Sequence, residues 1–348
     1  MKLKLAFIGM GNVGRAFLRL LQSKRDELEQ NHGITCVVTA IATARHGSLV
    51  SHAGLDPGDL AHGIGSGADI EAVADSEPVT DASEAIARCS ADILFETTTL
   101  NPVDGEPAVT HIRSAILRGI SVVTANKAPV AYAYRELSRL AADNDVMFRF
   151  EGTVMDGCPV FNLAEFCLPG ARVLSLSGVL NSTSNLILTG MEKGRSMAEC
   201  LLEAQRFGIA EANPDHDLDG WDAMIKIVAL ANVLMPGDQP VTVADRQGIK
   251  HLTEADVARA LADGQAVRLV ARAETSSSGT AITVRPERVP RSSVLGCVHG
   301  TSNVLIIDTD LMGEIAVVEN DPGIGQTAYA LLSDMMTIHQ KLARSRKE

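Results

Sequence analysis

The stretch KLAFIGMGNVG (4–14) decides the fold of the N-terminal half of the chain. Its apolar run ends in a glycine, as a short buried strand does, and apolar residues at helical spacing follow it. Between strand and helix, glycines in G-x-G-x-x-G spacing permit a tight turn and bring a pyrophosphate close to the helix N-terminus. A purely structural turn is the alternative. The pattern favours a dinucleotide site built from Gly9, Gly11, Asn12, Val13 and Gly14.

Strands and helices continue to alternate through the first 150 residues. Apolar or β-branched runs at 34–42, 92–98, 120–127 and 146–152 are separated mostly by helical patterns. Strands that alternate with helices of about 10–15 residues predict a parallel, doubly wound sheet. We therefore expect an α/β dinucleotide-binding domain over residues 1–150.

The rhythm changes after residue 150, where strands such as 172–181 and helices such as 221–235 follow no βαβ order. This pattern predicts an α+β second domain over residues 151–319. The amphipathic pattern in the tail predicts a C-terminal helix within 320–348 that packs back on the first domain. NSTSN (181–185) and GTSN (300–303) echo each other, but chance explains two small polar turns after strands.

Composition excludes several classes of protein. The 348 residues are 46% hydrophobic and carry a formal charge of −12, which disfavours nucleic acid and anionic membrane surfaces as partners. No apolar run reaches the roughly 18–20 residues of a membrane span, and the N-terminus has no signal-peptide core. The six cysteines form no CxxC pair, which is typical of reduced thiols. We expect a cytoplasmic protein with no nucleic-acid or membrane partner.

The end of the second predicted strand bears on the choice of dinucleotide. An acidic residue there would bind the ribose 2′-hydroxyl of NAD, but the strand ends IATARHG, with Thr43 at that position and Arg45 two residues later. A guanidinium without a nearby acid favours a 2′-phosphate, and hence NADP, with NAD left open. A solvated loop arginine is the alternative for Arg45.

Two further strand ends carry small polar residues or a lysine. ETTT (96–99) and TANK (124–127) both close predicted strands, and carboxyl ends of parallel strands form the ligand crevice of such a sheet. Thr97 and Thr98 are small enough to approach a nicotinamide. Lys127 could point into the same crevice, although a surface lysine is the simpler interpretation of Lys127 taken alone.

The stretch EANPDHDLDGWDAMIK (211–226) concentrates five carboxylates before an apolar helix that carries one lysine. It is a poor calcium loop, because Lys226 stands where a closing bidentate glutamate is needed. A solvated loop that caps the helix does not explain Lys226, which shares a helix face with Asp222. The third interpretation is a zwitterion site, in which Glu211 and Asp217 bind an ammonium and Asp222 orients Lys226.

Taken together, the motifs resemble the homoserine dehydrogenase family over most of the chain. They occur in the family's order: FIGMGNVG, VVTANKAPVA, EGTVMDGCPV, GVLNSTSNLILTGM, FGIAEANPDHDLDGWDAMIKIVALA and DPGIGQTAYALLSDM. The resemblance implies a Rossmann-type N-terminal domain and an α+β catalytic domain that also forms a homodimer. The chain stops where many relatives continue into a regulatory domain, so threonine inhibition through such a domain is not expected.

The resemblance also implies roles for individual residues. The homoserine or aspartate semialdehyde site would be lined by Glu211, Asp217, Asp222 and Lys226, with the turn Asn181, Ser182 and Thr183 helping to hold the substrate. Lys127 would lie beside the nicotinamide. Main-chain oxygens of the segment Glu151, Val154 and Asp156 would bind a monovalent cation, Na⁺ or K⁺.

Three positions depart from the family pattern. Ser182 replaces a common glycine, Asn213 replaces a common aspartate, and Asp156 lies in VMDG (154–157), which replaces a pattern of smaller residues. If the glycine normally permits a positive φ or close substrate approach, Ser182 would narrow the pocket. These departures leave room for a different substrate.

The reaction implied is the reversible oxidation of L-homoserine to L-aspartate 4-semialdehyde, a step of threonine and methionine biosynthesis. A base must take the hydroxyl proton as hydride leaves the adjacent carbon, and a lysine can do so only if its pKa falls from about 10.4 towards neutrality. Either Lys127 or Lys226 fits that role, and the other would polarise the carbonyl during reduction.

Three other functions compete with this interpretation. A dehydrogenase of a related small amino or hydroxy acid would use the same scaffold. A non-catalytic NADP sensor would keep the fold, but it would not need both lysines and all four carboxylates. A metal-dependent hydrolase lacks paired histidines, because His216 stands alone in the acidic loop.

Overall fold

The computed structural model describes residues 1–65, 75–211, 213–277 and 279–345. The strands are β1 Lys2–Ile8, β2 Thr35–Ala42, β3 Ser48–Leu55, β4 Glu77–Pro78, β5 Ile93–Glu96, β6 Ser121–Thr124, β7 Phe148–Arg149, β8 Val173–Val179, β9 Asp245–Arg246, β10 Gln265–Ser276, β11 Gly279–Pro290, β12 Asn303–Thr309 and β13 Gly313–Glu319.

The α-helices are α1 Asn12–Ser23, α2 Arg25–His32, α3 Pro57–Gly65, α4 Ala82–Arg88, α5 Ala108–Leu117, α6 Lys127–Asp143, α7 Val160–Asn162, α8 Ser182–Met191, α9 Met197–Arg206, α10 Asp215–Leu218, α11 Trp221–Leu234, α12 Glu254–Ala262 and α13 Ile324–Ser345. Short 3₁₀ helices cover Glu151–Thr153 and Val241–Val243, and a π-helical turn covers Leu163–Cys167.

The chain forms two compact units, of which the first contains Met1–Pro159 together with the residues from Gly323 on, and the second contains Val160–Pro322. The sequence places the boundary at residue 150, nine residues before the end of the first compact segment. Helix α13 holds the intervening residues in the first unit: Asp334 accepts the main-chain N–H of Glu151 at 2.9 Å, and Thr327 donates to Asp156 at 3.2 Å.

The first unit is built on a seven-stranded sheet in the order β4-β3-β2-β1-β5-β6-β7. Strands β2, β1, β5, β6 and β7 are parallel, so the doubly wound α/β sheet is confirmed. The edge strands β3 and β4 are antiparallel, which the sequence did not predict. The five-residue turn between β2 and β3 is too short for a parallel crossover, which needs a dozen or more residues.

Strand β1 lies at the centre of this unit. Phe7 of β1 stacks on Phe95 of β5 with ring centroids 5.1 Å apart, and Phe17 of α1 lies 4.6 Å from the Phe95 ring. Leu331 and Met335 of α13 belong to the same buried cluster. The order of the parallel strands reverses direction between β1 and β5, which makes their carboxyl ends the expected ligand crevice.

The second unit contains a six-stranded sheet in the order β13-β12-β8-β10-β11-β9. Its neighbours are antiparallel except for the short β11–β9 pair. Helix α11 is almost entirely buried, and Ala223, Ile227 and Leu230 along it are fully buried. The predicted α+β second domain is therefore confirmed. In the described part of the chain, none of the helices combines the length and apolar character needed to cross a bilayer.

Gly9 occupies a position that only glycine fits. Its φ is +91°, and a Cβ placed there would lie 2.6 Å from the main chain of Thr97. Gly11 differs, because its φ is −75° and a Cβ there would meet no other atom within 4 Å. The fold therefore requires a glycine at position 9, whereas the atoms around Gly11 leave room for a side chain or a ligand.

We expect Gly9→Ala to lower the free energy of unfolding by more than ~1–2 kcal/mol, because it combines left-handed backbone strain with a main-chain clash. Gly11→Ala should change it by no more than ~0.5 kcal/mol. Denaturant unfolding of both variants measures the difference. Equal midpoints for the two variants would contradict this account of the turn.

Candidate functional site

The glycine loop (residues 9–14) lies beside the loop that follows β5 and begins at Thr97, called here the β5 loop. This is where the order of the parallel strands reverses direction, between β1 and β5. Thr97 donates its hydroxyl to the carbonyl of Gly9 at 2.9 Å, which ties the two loops together. Gly11 precedes α1 without a side-chain cap, so the first main-chain N–H groups of the helix are not used by a capping side chain. Unused N–H groups, the helix dipole and the space at Gly11 suit a pyrophosphate. The residues present fit a dinucleotide.

Four other predicted cofactor residues lie around this loop. Asn12 is exposed and Val13 half-buried at the start of α1, and the Gly14 Cα lies in close packing, where an added Cβ would come 3.1 Å from the Met10 sulfur. Thr98 is half-buried beside Thr97. These residues therefore surround the N-terminus of α1 as the sequence predicts, while their contacts with a cofactor stay a prediction.

Arg45 lies in the turn that follows β2. The Thr43 hydroxyl closes this turn by donating to the Gly47 carbonyl at 2.9 Å and accepting from the His46 main chain at 2.8 Å. Arg45 is exposed within the turn. The end of β2 thus presents an arginine and no acidic side chain.

Lys127 is the first residue of α6. Asn126 caps this helix by accepting the main-chain N–H of Ala128 at 3.1 Å, and it donates to the Thr98 carbonyl at 3.4 Å. Lys127 is therefore attached to a helix start that is bonded to the β5 loop.

In the second unit, Asn181 brings two carboxylates together. Its amide donates to Asp217 at 2.7 Å and to Asp222 at 3.0 Å, while its carbonyl oxygen caps α8 by accepting the Ser184 N–H at 2.8 Å. Asn181 is buried, so its amide orientation is set by these partners. One side chain thus fixes the start of α8 and the spacing of both acids.

Lys226 completes this cluster from α11. Its ammonium lies 3.1 Å from Asp222, one turn earlier in the helix, and donates to the Leu180 carbonyl at 2.7 Å. The Lys226 and Asp222 side chains are only 14% and 15% exposed, so solvent screens this pair weakly. The predicted pairing of Asp222 with Lys226 is present.

This arrangement shifts the pKa of Asp217. Burial raises the pKa of its carboxyl, and the neighbouring charge of Asp222 raises it further. Hydrogen bonds from Asn181 and Thr183 and the charge of Lys226 lower the pKa, but they do not offset the increase. The cluster therefore contains an acid whose ionised form is costly in the absence of further positive charge.

The remaining carboxylates of the acidic stretch have other partners. Asp215 and Asp219 both pair with Lys250, at the surface of the second unit. Glu211 is exposed, and its main-chain carbonyl accepts from Gln205 at 3.2 Å. The acidic stretch thus divides into a partly buried pair beside Lys226 and a pair beside Lys250. Among the described residues, no hydrogen bond or ion pair joins the Glu211 side chain to either pair.

Ser182 fits its position without strain. It is the first residue of α8 and has no positive φ, so a glycine is not required for backbone reasons. Its hydroxyl is bonded to Asn303, whose amide lies 3.1 Å from it and donates to Glu319 at 2.9 Å. Thr183 donates to the Ile209 carbonyl at 3.4 Å.

Sequence reasoning missed Asn303, although a signal was present. The two echoing turns, 181–185 and 300–303, are bonded to each other in the structure, because Asn185 donates to the Ser302 carbonyl at 3.0 Å and Ser182 contacts Asn303. Both turns adjoin sheet strands that pair directly, β8 and β12. The two turns with similar sequences are therefore also in direct contact.

The segment predicted to bind a cation is held tightly in the first unit. Glu151 and Val154 are buried, and Asp156 has a φ of +43° and accepts from Thr327. Among the described residues, no group of three His, Cys, Asp or Glu side chains could hold a metal ion. A cation here would depend on main-chain oxygens, as the resemblance implies, and this site stays a prediction.

Asp217→Asn should stabilise the second unit at neutral pH. The folded state binds the Asp217 proton more tightly than the unfolded chain does, so the carboxyl contributes stability below its ordinary pKa of 3.8 and loses it as pH rises through the raised value. The urea midpoint of Asp217→Asn should exceed that of the parent at pH 7, and the difference should shrink at pH 4.

Asp215→Asn is the matched control, since it removes one surface partner of Lys250 and should change stability by only ~0–1 kcal/mol. A lower urea midpoint for Asp217→Asn than for the parent at pH 7 would show that the carboxylate is not strained.

Family comparisons account for both units. The family model described as "Homoserine dehydrogenase, NAD binding domain" matches residues 9–151, and the model described as "Homoserine dehydrogenase" matches residues 159–336. An NAD(+)-dependent homoserine dehydrogenase from Pseudomonas canavaninivorans is 36% identical over 346 residues, which cover 99% of this chain and 98% of the relative.

Solved structures agree with this result. A homoserine dehydrogenase from Thiobacillus denitrificans superposes with a TM-score of 0.84 at 27% identity, covering 99% of this chain and 74% of that one. A hyperthermophilic archaeal homoserine dehydrogenase in complex with NADPH gives a TM-score of 0.82 at 28% identity and 98% coverage of both chains. The chain therefore belongs to the homoserine dehydrogenase family, whose members are NAD(P)-dependent oxidoreductases that act on a CH–OH group.

Proposed function

We propose that the partly buried cluster of Asn181, Asp217, Asp222 and Lys226 in the second unit binds L-homoserine, with Asp217 accepting the substrate ammonium and Lys226 contacting the reacting oxygen. The observation that carries this proposal is the shared amide of Asn181, which holds Asp217 and Asp222 in one partly buried cluster with Lys226. Two carboxylates and one ammonium leave one negative charge uncompensated. A substrate ammonium supplies the missing cation and offsets the cost of the ionised Asp217.

The contacts of Lys226 favour its charged form. The Asp222 carboxylate and the Leu180 carbonyl both accept from the ammonium, and neither stabilises a neutral amine in this way. A charged lysine is a proton donor. We therefore assign Lys226 to protonating the carbonyl oxygen of aspartate semialdehyde during reduction, which leaves a neutral amine; in the oxidation direction the lysine takes the hydroxyl proton only from that neutral form. Lys127 stays the second candidate for this proton transfer.

Glu211 and the turn Asn181–Thr183 take supporting roles in this proposal. Asn181 sets the spacing of the acids, and Thr183, two residues later, donates to the Ile209 carbonyl. Ser182 keeps its hydroxyl on Asn303. Glu211 is exposed, and its main-chain carbonyl accepts from Gln205, so we rank it below Asp217.

The first unit binds the nicotinamide cofactor, which accepts or delivers the hydride when bound. We propose that Gly9, Gly11, Asn12, Val13 and Gly14 hold the pyrophosphate, and that Thr97, Thr98 and Lys127 lie on the nicotinamide side. The exposed Arg45 at the end of β2 supports NADP, because a guanidinium binds a 2′-phosphate. The name of the Pseudomonas canavaninivorans relative favours NAD instead.

Lys226→Ala should lower kcat for homoserine oxidation by ~10²–10⁴-fold, because it removes the proton-transfer group. Lys127→Ala should cause a loss of the same order if that lysine shares the transfer. Steady-state NADPH formation measures both. Lys250→Ala is the matched control, since this lysine also pairs with two carboxylates of the acidic stretch and should leave kcat within about twofold. Near-parent turnover in either site variant would remove that lysine from the chemistry.

Arg45→Ala should raise KM for NADP⁺ by about tenfold or more and leave KM for NAD⁺ nearly unchanged, because it removes a charge-assisted contact made only to the 2′-phosphate. Initial rates with homoserine and each dinucleotide give the two values. A parent enzyme that prefers NAD⁺, with no response to Arg45→Ala, would transfer the assignment to NAD.

Four further expectations remain proposals. We expect a homodimer, and Leu174, Leu311, Met312 and Val318 of the second unit are exposed apolar side chains that a second copy would cover. A monovalent cation at 151–156, a cytoplasmic location and a place in threonine and methionine biosynthesis rest on the family resemblance alone.

A further inference from the structure

Glu96 is a buried acid that the proposed chemistry does not use. It is the last residue of β5 and has no exposed surface. One carboxylate oxygen accepts the main-chain N–H of Thr98 at 3.2 Å and the Thr98 hydroxyl. The Thr124 hydroxyl donates in a shared hydrogen bond to the other carboxylate oxygen at 3.2 Å and to the Glu96 main-chain carbonyl at 3.0 Å. A buried carboxylate is stable only when it accepts hydrogen bonds from such donors, so these contacts fix the position of the Glu96 side chain.

The groups that bind Glu96 belong to two neighbouring strand ends. Thr98 lies in the β5 loop, and Thr124 is the last residue of β6. The Thr124 oxygen also accepts the main-chain N–H of Asn126 at 3.0 Å, and Asn126 donates back to the Thr98 carbonyl. A closed ring of hydrogen bonds therefore joins Glu96, Thr98, Asn126 and Thr124.

This ring holds the elements that carry the proposed cofactor residues. Asn126 caps α6, whose first residue is Lys127, and the Thr97 hydroxyl bonds the Gly9 carbonyl. The main chain at Thr97 and Thr98 lies directly over Gly9. A shift of the Glu96 carboxylate would move the β5 loop against the glycine loop and the start of α6 together.

His111 faces the same carboxylate from α5. Its Nδ1 lies 3.9 Å from Glu96, and both side chains are buried. Among the described residues, this nitrogen has no hydrogen-bond partner. The His111 imidazole makes no direct hydrogen bond to the Glu96 carboxylate, but it occupies the space on that side and so restricts movement of the carboxylate.

We propose that Glu96 is a positioning residue, whose buried carboxylate fixes the Thr97–Thr98 loop and the Asn126–Lys127 helix start against the glycine loop. This inference rests on the proposed cofactor crevice of the first unit. It assigns a function to a residue that touches neither the substrate nor the reacting atoms. Removing a donor to this carboxylate should loosen the crevice and lower turnover without changing how homoserine is bound.

Thr124→Val tests this inference, because valine keeps the shape of threonine and removes the hydroxyl that joins Glu96 to Asn126. We expect kcat to fall by about tenfold or more and the Kd for NADPH to rise by several-fold, with KM for homoserine within about twofold of the parent. Thr124→Ser restores the hydroxyl and should restore both values. Glu96→Gln, which weakens the same ring from its centre, should change kcat and Kd in the same direction.

Thr39→Val is the matched control. Thr39 is a buried threonine of the same sheet whose hydroxyl donates to the Leu5 carbonyl at 3.2 Å, away from the ring. It should lower the melting temperature and leave kcat and the Kd for NADPH unchanged. If Thr124→Val and Glu96→Gln behave like Thr39→Val, Glu96 has only a structural role and the inference is wrong.

The outcome is separable from the assignment of Lys127. If Lys127→Ala keeps parent activity but Thr124→Val still weakens NADPH binding with rescue by Thr124→Ser, the positioning role of Glu96 stands and the catalytic role of Lys127 fails. If Lys127→Ala is inactive and the Thr124 variants all match the parent, the reverse holds.

Discussion

The contact between Gly9 and the main chain of Thr97 is the constraint on which the first unit depends. Strand β1 lies between β2 and β5, and its C-terminal end can turn into α1 only if the chain passes directly beneath the β5 loop. A side chain at Gly9 would overlap that loop. The same close approach leaves the N-terminus of α1 directed at the crevice where the strand order reverses, so folding and anion binding share one requirement.

In the second unit, the main constraint is the placement of two carboxylates close together in a partly buried site. Asn181 is polar but neutral, and its single amide group satisfies Asp217 and Asp222 while its carbonyl starts α8. A donor shared by both acids stabilises them at this spacing, because two carboxylates in one partly buried site repel each other and the charge of Asp222 raises the pKa of Asp217. The position of α8 and the geometry of the acids are thus fixed by the same residue.

Local patterns made much of this predictable. The glycine spacing, the βαβ rhythm and the four-residue separation of Asp222 from Lys226 are all short-range features, and the parallel strands, the turn and the ion pair follow from them. Family resemblance added the substrate and the order of motifs. The separation of Asp215 and Asp219 from the buried acids was not predictable, because their partner Lys250 lies 31 residues or more away in sequence.

What the sequence did not reveal depends on contacts between distant segments. Strand β3 lies in a glycine-rich stretch with no clear strand pattern. It runs antiparallel to β2 because the turn between the two strands is too short for a parallel crossover. Strand β13 alternates exposed and half-buried positions over most of its length, and its buried Glu319 finds its partner, Asn303, only when β12 lies beside it. Glu96 and Asn303 similarly look like ordinary polar residues at strand ends until their partners are placed beside them.

The charge balance of the second unit connects its stability with its chemistry. Asp217, Asp222 and Lys226 together carry one excess negative charge when ionised, and the raised pKa of Asp217 reflects the cost of keeping that charge in a partly buried site. A cluster selected for stability alone would replace one acid by a neutral group of the same shape. On our proposal that an amino acid binds here, its ammonium would offset this charge and would lie on the same molecule as the hydroxyl or carbonyl that reacts.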